Sequence, residues 1–431
     1  MSTLAERLRG VVRSGGSASP GPPCVPVRRP GAAEAEEGPD PAGGLAALLD
    51  GEWRESSGQR YLVIDRTYPP GHRHGRIAVA DAAPGGEGGW PVLSVVAAGV
   101  GPGRMLFFDL ETTGLAGGAG TCAFLVGCGW FDGPAFRIRQ FLLARYGAER
   151  GLLDEVAALA RGAGAVATYN GKTFDLPLIE TRFLFHRMDT PFAGMPHVDM
   201  LHVARRLWSG GLEPTGADTA TSCRLAEIEQ SVLGHVRAGD VPGCEIPSRY
   251  FQYVRSGDGR PLAAVLEHNR LDLLSLALLT ARTAGLLDGG AEAAGSAREA
   301  LGLGRLYRRD GRAREAEASF ARAAAMTSEA DAQTAAAAWH AYATSLRHAR
   351  RYEEAAAAWS RVMGLRACPP RLAQEASEAL AVHHEHRDIN LRRARDLARQ
   401  ALELTGSPGR AHAVRRRLAR LERRLAAADL F

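Results

Sequence analysis

Asp109 and Glu111 stand one residue apart at the end of an apolar run, Phe107-Phe108-Asp109-Leu110-Glu111-Thr112-Thr113-Gly114. On a strand, side chains two residues apart project from one face, so these carboxylates would present a paired oxygen site at the strand's end. Two unpaired charges on an apolar strand are costly without a partner, and a hard divalent cation is the natural partner for clustered oxygens. Such a pair occurs by chance in many chains, and here it gains weight from two further acidic motifs. Thr168-Tyr169-Asn170-Gly171-Lys172-Thr173-Phe174-Asp175-Leu176-Pro177 comes after an apolar approach, and Glu267-His268-Asn269-Arg270-Leu271-Asp272 lies nearer the C-terminus.

With this order and spacing, Asp109, Glu111, Asp175 and Asp272 resemble the DEDD superfamily of exonucleases, which have a ribonuclease H-like fold. The resemblance implies a mixed α/β sheet flanked by helices, with the four carboxylates holding two divalent cations, Mg²⁺ or Mn²⁺. Two such ions balance the charge of four carboxylates, acidify an attacking water and stabilise the leaving oxygen of a scissile phosphate. The expected reaction is therefore phosphodiester hydrolysis of nucleic acid, with 3′ to 5′ exonuclease action implied by the family. The same resemblance makes Thr112, Leu115 and Asn170 candidates for holding a terminal nucleotide at a single-stranded end. Lys172, the chain's sole lysine, is a candidate phosphate contact or a solvated turn residue.

The elements that must carry these residues follow from pattern. Asp175 should open a helix running through Ile179 and Phe183, its carboxylate near the helix N-terminus; a plain N-cap is the bland alternative. Leu262 to Leu279 has helical apolar recurrence, which puts His268 and Asp272 on one face, four residues apart. Imidazole titrates near pKa ~6.5, so His268 is the candidate to take or orient the water's proton. DEDD enzymes usually have a Tyr four residues, or a His five residues, before the last Asp; here a His occupies the tyrosine spacing. Cys122 to Trp130, Phe136 to Leu143 and Ala165 to Tyr169 read as strands, and Leu152 to Arg161 as a helix, the element order a ribonuclease H-like sheet requires. Asp199, at another expected strand end, is read as a supporting residue.

Three more segments narrow the resemblance: Gly114 to Thr121, Pro196 to His202 and Glu245 to Phe251 look like the YprB-type branch of ribonuclease H-like proteins. That likeness covers residues from Leu93 to Leu287, and such proteins often carry a helical repeat region behind the nuclease domain.

At 431 residues the chain has room for two or three domains. A flexible lead is expected over 1–44, a small β-containing extension over 45–100, the catalytic domain over 101–288 and helical repeats over 296–431. Within the extension, His72 and His74 in Gly71-His72-Arg73-His74-Gly75 are tempting as ligands, but a polar turn is the favoured reading. From Ala297 on, Leu303-Gly304, Tyr307, Ala316, Phe320 and Ala323 recur as small and large residues do in tetratricopeptide repeats; Trp339 to Trp359 is a second copy, and Ala394, Ala398 and Ala401 fit a third. These repeats suit a protein partner. His383-His384-Glu385-His386 invites a metal reading but is read as packing or solvent-exposed, and the Arg415 to Arg424 run could touch nucleic-acid phosphates but is read as a solvated helix face.

The net charge of +5 agrees with a phosphate-rich partner without demanding one. Six cysteines without a CxxC pair fit a reduced interior, and neither a spanning helix nor a signal h-region is evident, so a cytoplasmic protein off the membrane is expected. The rival reading from another class is a catalytically silent scaffold that binds nucleic acid or protein through its repeats.

Overall fold

Apolar strands joined by polar turns build the centre of the molecule. The structure, a computed structural model, describes residues 44–85, 89–114, 120–209, 223–327, 331–406 and 408–428. The expected flexible lead over 1–44 therefore lies almost wholly outside the described residues.

Helix α1 (Gly44–Leu49) leads to strands β1 (Glu52–Ser56) and β2 (Gln59–Tyr68). Their two-residue turn has Ser57 and Gly58 both at positive φ, 52° and 72°, the backbone a tight hairpin turn requires. β3 (Arg73–His74) and β4 (Ile77–Ala78) form a small separate hairpin running into α2 (Val79–Ala82). Then come β5 (Met105–Thr112), β6 (Ala123–Asp132), β7 (Ala135–Leu142), α3 (Glu149–Arg161), β8 (Ala165–Thr168), α4 (Asp175–Phe185), β9 (His197–Asp199) and α5 (Met200–Leu207).

The seven-stranded sheet has the order β1-β2-β7-β6-β5-β8-β9. β8 lies parallel to β5 and β9 parallel to β8, and the remaining pairs are antiparallel. This mixed sheet flanked by helices is ribonuclease H-like. β1 and β2, from the segment expected as an extension, join the same sheet at its edge by pairing β2 with β7.

β5 is central and covered on both faces, which its unbroken apolar start reflects. Phe107 packs into one core, while Leu106, Phe108 and Leu110 pack into the other. Period-two alternation thus puts Asp109 and Glu111 on the Phe107 side.

After α6 (Leu225–Ile228), a π-helical turn spans Glu229–Leu233, followed by α7 (Ile246–Ser256) and the 30-residue α8 (Arg260–Gly289). At about 1.5 Å per residue α8 is roughly 45 Å long. Its first turns, with Leu262, Val265 and Leu266, belong to the core of Phe108; from Leu273 on it belongs to the core of Phe107. The helix therefore passes from one side of the sheet to the other, and the crossing stretch carries His268, Asn269 and Asp272.

The C-terminal region is helical: α9 (Ala297–Arg309), α10 (Ala313–Ala325), α11 (Ala332–His348), α12 (Tyr352–Met363), α13 (Pro370–His386), α14 (Leu391–Glu403) and α15 (Pro408–Ala428), each packed on the next. Gly304 lets Phe320 of α10 approach α9, since a Cβ there would sit 2.5 Å from the ring. Gly302 lets α9 cross α5 against bare backbone, its Cβ position being 2.7 Å from the Leu207 Cα. Glu299 anchors the same junction by accepting hydrogen bonds from Trp208 Nε1 at 3.0 Å, Arg282 Nη2 at 2.7 Å and the Gly295 N–H at 2.8 Å.

One reading of local pattern gains a contact and another changes. Glu385 is buried and accepts from Arg417, Arg420 and Arg424 of α15. These arginines keep the solvated helix face expected of the terminal run while their guanidiniums reach this carboxylate, because a buried carboxylate needs cationic partners. His74 is likewise buried, not part of a polar turn. Cys122, Cys128, Cys223, Cys244 and Cys368 are free thiols, and no helix among the described residues is long and apolar enough to cross a membrane.

Candidate active site

A cavity of about 510 Å³ opens beside the end of β5, and Asp109, Glu111, Asp175, Asp272 and His268 all line it. They arrive from three pieces of local structure. Asp109 and Glu111 come from β5, next to a register shift between Glu111 and Thr112. Asp175 is the first residue of α4, where its Oδ1 accepts the Leu110 N–H at 3.1 Å. The carboxylate so ties the head of α4 to the central strand, instead of capping its own helix. Asp272 and His268 come from α8, one turn apart.

The electrostatics are those of an acid cluster in want of cations. Burial first, then the charges of Asp272, Glu111 and Asp175, hold the Asp109 carboxyl well above the usual carboxylate range, against a hydrogen bond from Asn269. Burial, Asp272, Asp175 and Asp240 do the same to Glu111. Asp175 is pushed up to about 7 by burial, with the Leu110 N–H and its own N–H opposing. Crowded carboxyls keep protons that a divalent ion would expel. The donor set is all oxygen, which suits hard Mg²⁺ or Mn²⁺. Three-ligand groups whose donor atoms all lie within 4.8 Å of one another occur elsewhere, at His74 with Glu229 and His235, and at Glu353 with His383 and Asp388. In the cavity, Asp272 leans on an arginine.

That arginine, Arg237, and Asp240 have no counterpart in the acidic motifs. Arg237 Nη2 lies 2.6 Å from Asp272 Oδ1 and 2.6 Å from Glu229 Oε2, and its Nη1 is 3.1 Å from Asp240 Oδ2. Asp240 Oδ1 bonds His268 Nδ1 at 2.7 Å. The other ring nitrogen, Nε2, points to Asp272 Oδ2 at 3.6 Å and Glu111 Oε1 at 4.0 Å. A carboxylate on one nitrogen fixes the ring and its tautomer, leaving the other as the basic one.

Behind Asp109, Asn269 Nδ2 donates to Asp109 Oδ2 at 2.8 Å, and Gln140 Nε2 donates to Asn269 Oδ1 at 2.8 Å. Gly127 pairs with Asp109 across β5 and β6, and a Cβ there would come within 2.8 Å of both Asn269 Nδ2 and Leu273 Cδ1. The glycine makes room for this buried chain.

Of the residues expected to hold substrate, Thr112 and Asn170 line the cavity. Asn170 has φ 68°, a conformation Asn tolerates better than most residues, and its N–H donates to Asp199 Oδ1 at 2.8 Å. Lys172 is exposed and is not part of the cavity wall, though its backbone N–H donates to Asp199 Oδ2 at 3.1 Å. Leu115 lies outside the described residues. Buried Asp199 thus clamps the 170–172 loop and also caps α5 through the Leu201 N–H at 3.1 Å. Phe174 forms part of the wall and is 54% exposed, an apolar surface that the acidic motifs alone do not reveal.

Residues 106–284 match the RNase_H superfamily, whose members use divalent metals, and this match with the fold makes the region a nuclease-type domain of the ribonuclease H-like kind. The chain is 34% identical over 221 residues to a Bacillus subtilis (strain 168) protein titled "Uncharacterized protein YprB". That alignment takes in 50% of this chain and 51% of the other, so the chain spans about half the length of the curated relative it matches.

Proposed function

We propose that the protein is a metal-dependent nuclease, a 3′ to 5′ exonuclease acting on single-stranded ends of DNA or RNA. The supporting observation is the convergence of carboxylates from β5, α4 and α8 on one cavity, together with an imidazole that a further carboxylate orients. Asp109, Glu111, Asp175 and Asp272 are the residues that would hold two ions, Mg²⁺ or Mn²⁺. When bound, such ions neutralise the scissile phosphate and acidify the attacking water. His268, with Nδ1–H given to Asp240, takes the water's proton at Nε2. Asn269 keeps the Asp109 carboxylate in place. Thr112, Leu115 and Asn170 hold the terminal nucleotide, Phe174 offers its ring for base stacking, and Lys172 contacts phosphate further along the strand. The 3′ to 5′ polarity follows the DEDD resemblance.

We read residues 101–288 as the catalytic domain, 45–100 as its β-containing extension and 296–431 as tetratricopeptide-like repeats that bind a protein partner. Free thiols fit the cytoplasm as the place of action. The test is degradation of end-labelled single-stranded DNA and RNA with Mg²⁺ or Mn²⁺, comparing wild type with Asp109→Ala and Asp272→Ala. Stepwise loss from the 3′ end, abolished in both variants and by chelation, is expected. No metal-dependent cleavage of linear, structured or circular substrates would overturn the enzyme and favour a scaffold.

A further inference from the structure

The β3–β4 hairpin and the π-helical turn meet at a second cluster of ligand-type side chains, none of which lines the cavity. His74 ends β3, Glu229 opens the π-helical turn, and His235 lies just beyond it. Glu229 Oε1 stands 3.8 Å from His74 Nε2 and 3.5 Å from His235 Nε2, and the three donor atoms all lie within 4.8 Å of one another. The two imidazoles are stacked with centroids 3.8 Å apart. His74 and Glu229 are buried, and His235 is half-buried.

The backbone is built for this approach. Gly75 has φ 62°, and a Cβ there would lie 2.9 Å from the backbone nitrogen of His235. Gly234 has φ 70°, and a Cβ there would lie 2.6 Å from Arg76 Nε. The Arg76 N–H donates to the Leu233 carbonyl at 2.7 Å, stitching the hairpin to the turn. Only glycine fits such a left-handed, crowded position without strain. A π-helical turn is rare, widens the helix by one residue and recurs at functional sites; here its first side chain is Glu229.

We propose that His74, Glu229 and His235 form a binding site for a transition-metal ion, with Zn²⁺ the best-matched occupant and water completing the coordination. Two imidazoles and a carboxylate are a zinc-type donor set, unlike the all-oxygen set of the cavity. Four-coordinate zinc with bonds of about 2.0–2.1 Å sets its ligand atoms roughly 3.3–3.4 Å apart, close to the spacings about Glu229. Arg237 now bonds both oxygens of Glu229, its Nε lying 3.2 Å from Oε1, and its guanidinium is shared with Asp240 and Asp272, so a cation at Oε1 would take over only part of that arginine's task. Binding replaces the hydrogen bond between Ser275 Oγ and His74 Nε2, now 2.6 Å long. The ion would join hairpin to turn and place a metal centre one guanidinium away from Asp272.

The test uses the full-length chain, stripped by chelation and titrated with Zn²⁺ alone, with bound metal counted after dialysis. Co²⁺ substitution gives a second readout, since tetrahedral imidazole-ligated cobalt has a distinctive visible spectrum. Wild type is compared with an Asp109→Asn/Asp175→Asn double variant and with His74→Gln, Glu229→Gln and His235→Gln. The expected result is a single tightly held zinc in wild type and in the double variant, weakened by more than about tenfold in the other three. No retained zinc in wild type, or a zinc lost from the double variant yet kept by His235→Gln, overturns the proposal. His235→Gln decides the matter if burial makes the other variants unfold, because His235 is the partly exposed member and its folding is checked by circular dichroism.

Discussion

Arg237 Nη2 sits 2.6 Å from Asp272 Oδ1, so a guanidinium occupies one side of a carboxylate that the proposed chemistry needs for a metal ion. The arginine is mostly buried and shared with Glu229 and Asp240, which keeps it charged and in place. It is both a support for the acid cluster and a competitor for it.

Arg237→Gln removes that competitor and leaves Glu229 without its cation. Breaking a buried ion pair costs about 3–5 kcal/mol, so the variant should melt well below wild type. Saturating Mn²⁺ should then raise its melting temperature by more than it raises that of wild type. Equal gains in thermal scans with and without Mn²⁺ would show that Arg237 does not compete.

His268→Ala should lower kcat by about 10²–10⁴ while leaving the number of bound Mn²⁺ ions unchanged, as expected of a proton acceptor. Asp240→Asn should give a smaller loss, since the ring remains but its orientation is less secure. Single-turnover rates and metal counting on the same preparations separate the two effects. Loss of bound metal in His268→Ala would make the imidazole a ligand instead.

Gly127→Ala drives a methyl into Asn269 and Leu273, an overpacking that typically costs about 1–3 kcal/mol. The same change should slow cleavage, because Asn269 can no longer hold Asp109. Truncating Asn269 makes space, so the Gly127→Ala/Asn269→Ala pair should lose less stability than the sum of the single changes. Strict additivity in denaturant titrations would contradict the packing described.

Glu375 gives a pH signature apart from the site. The hydrogen bond with His340 of α11 comes first among the causes that bring its carboxyl down to about 2 from 4.5, with Arg410 and Arg371 adding to it against burial. The folded pKa is below the unfolded one, so this stabilisation is complete above pH 4.5 and fades as pH falls towards 2. Wild type should therefore melt higher than Glu375→Gln at neutral pH, with the gap closing across that acid range. A gap independent of pH would assign the effect to packing.

Much of the architecture is legible in local pattern. The unbroken apolar run of 105–108 reveals a strand covered on both faces, and helical recurrence from Leu262 places His268 one turn from Asp272. Asp109, Glu111, Asp175 and Asp272 are visible because each sits in a short motif at an element's end. Asp240 and Arg237 are not, since the irregular stretch that carries them has no period, and only folding brings it against α8. Asn269 reads as one more helix residue until Gly127 opens the opposite strand. His74 looks like part of a polar turn, because nothing in Gly71 to Gly75 reveals the π-helical turn that buries it.

Gly302 has a consequence for the whole assembly. With α9 laid against the backbone of α5 and pinned through Glu299, the C-terminal helices are a bracket and not a tether. A partner seated on them would have a set bearing towards the cavity, without the dilution that a loose linker imposes. On the proposed reading the helical array would be a ruler: removing its last helices would shorten the distance at which a guest is presented, and leave the carboxylate cavity as it was.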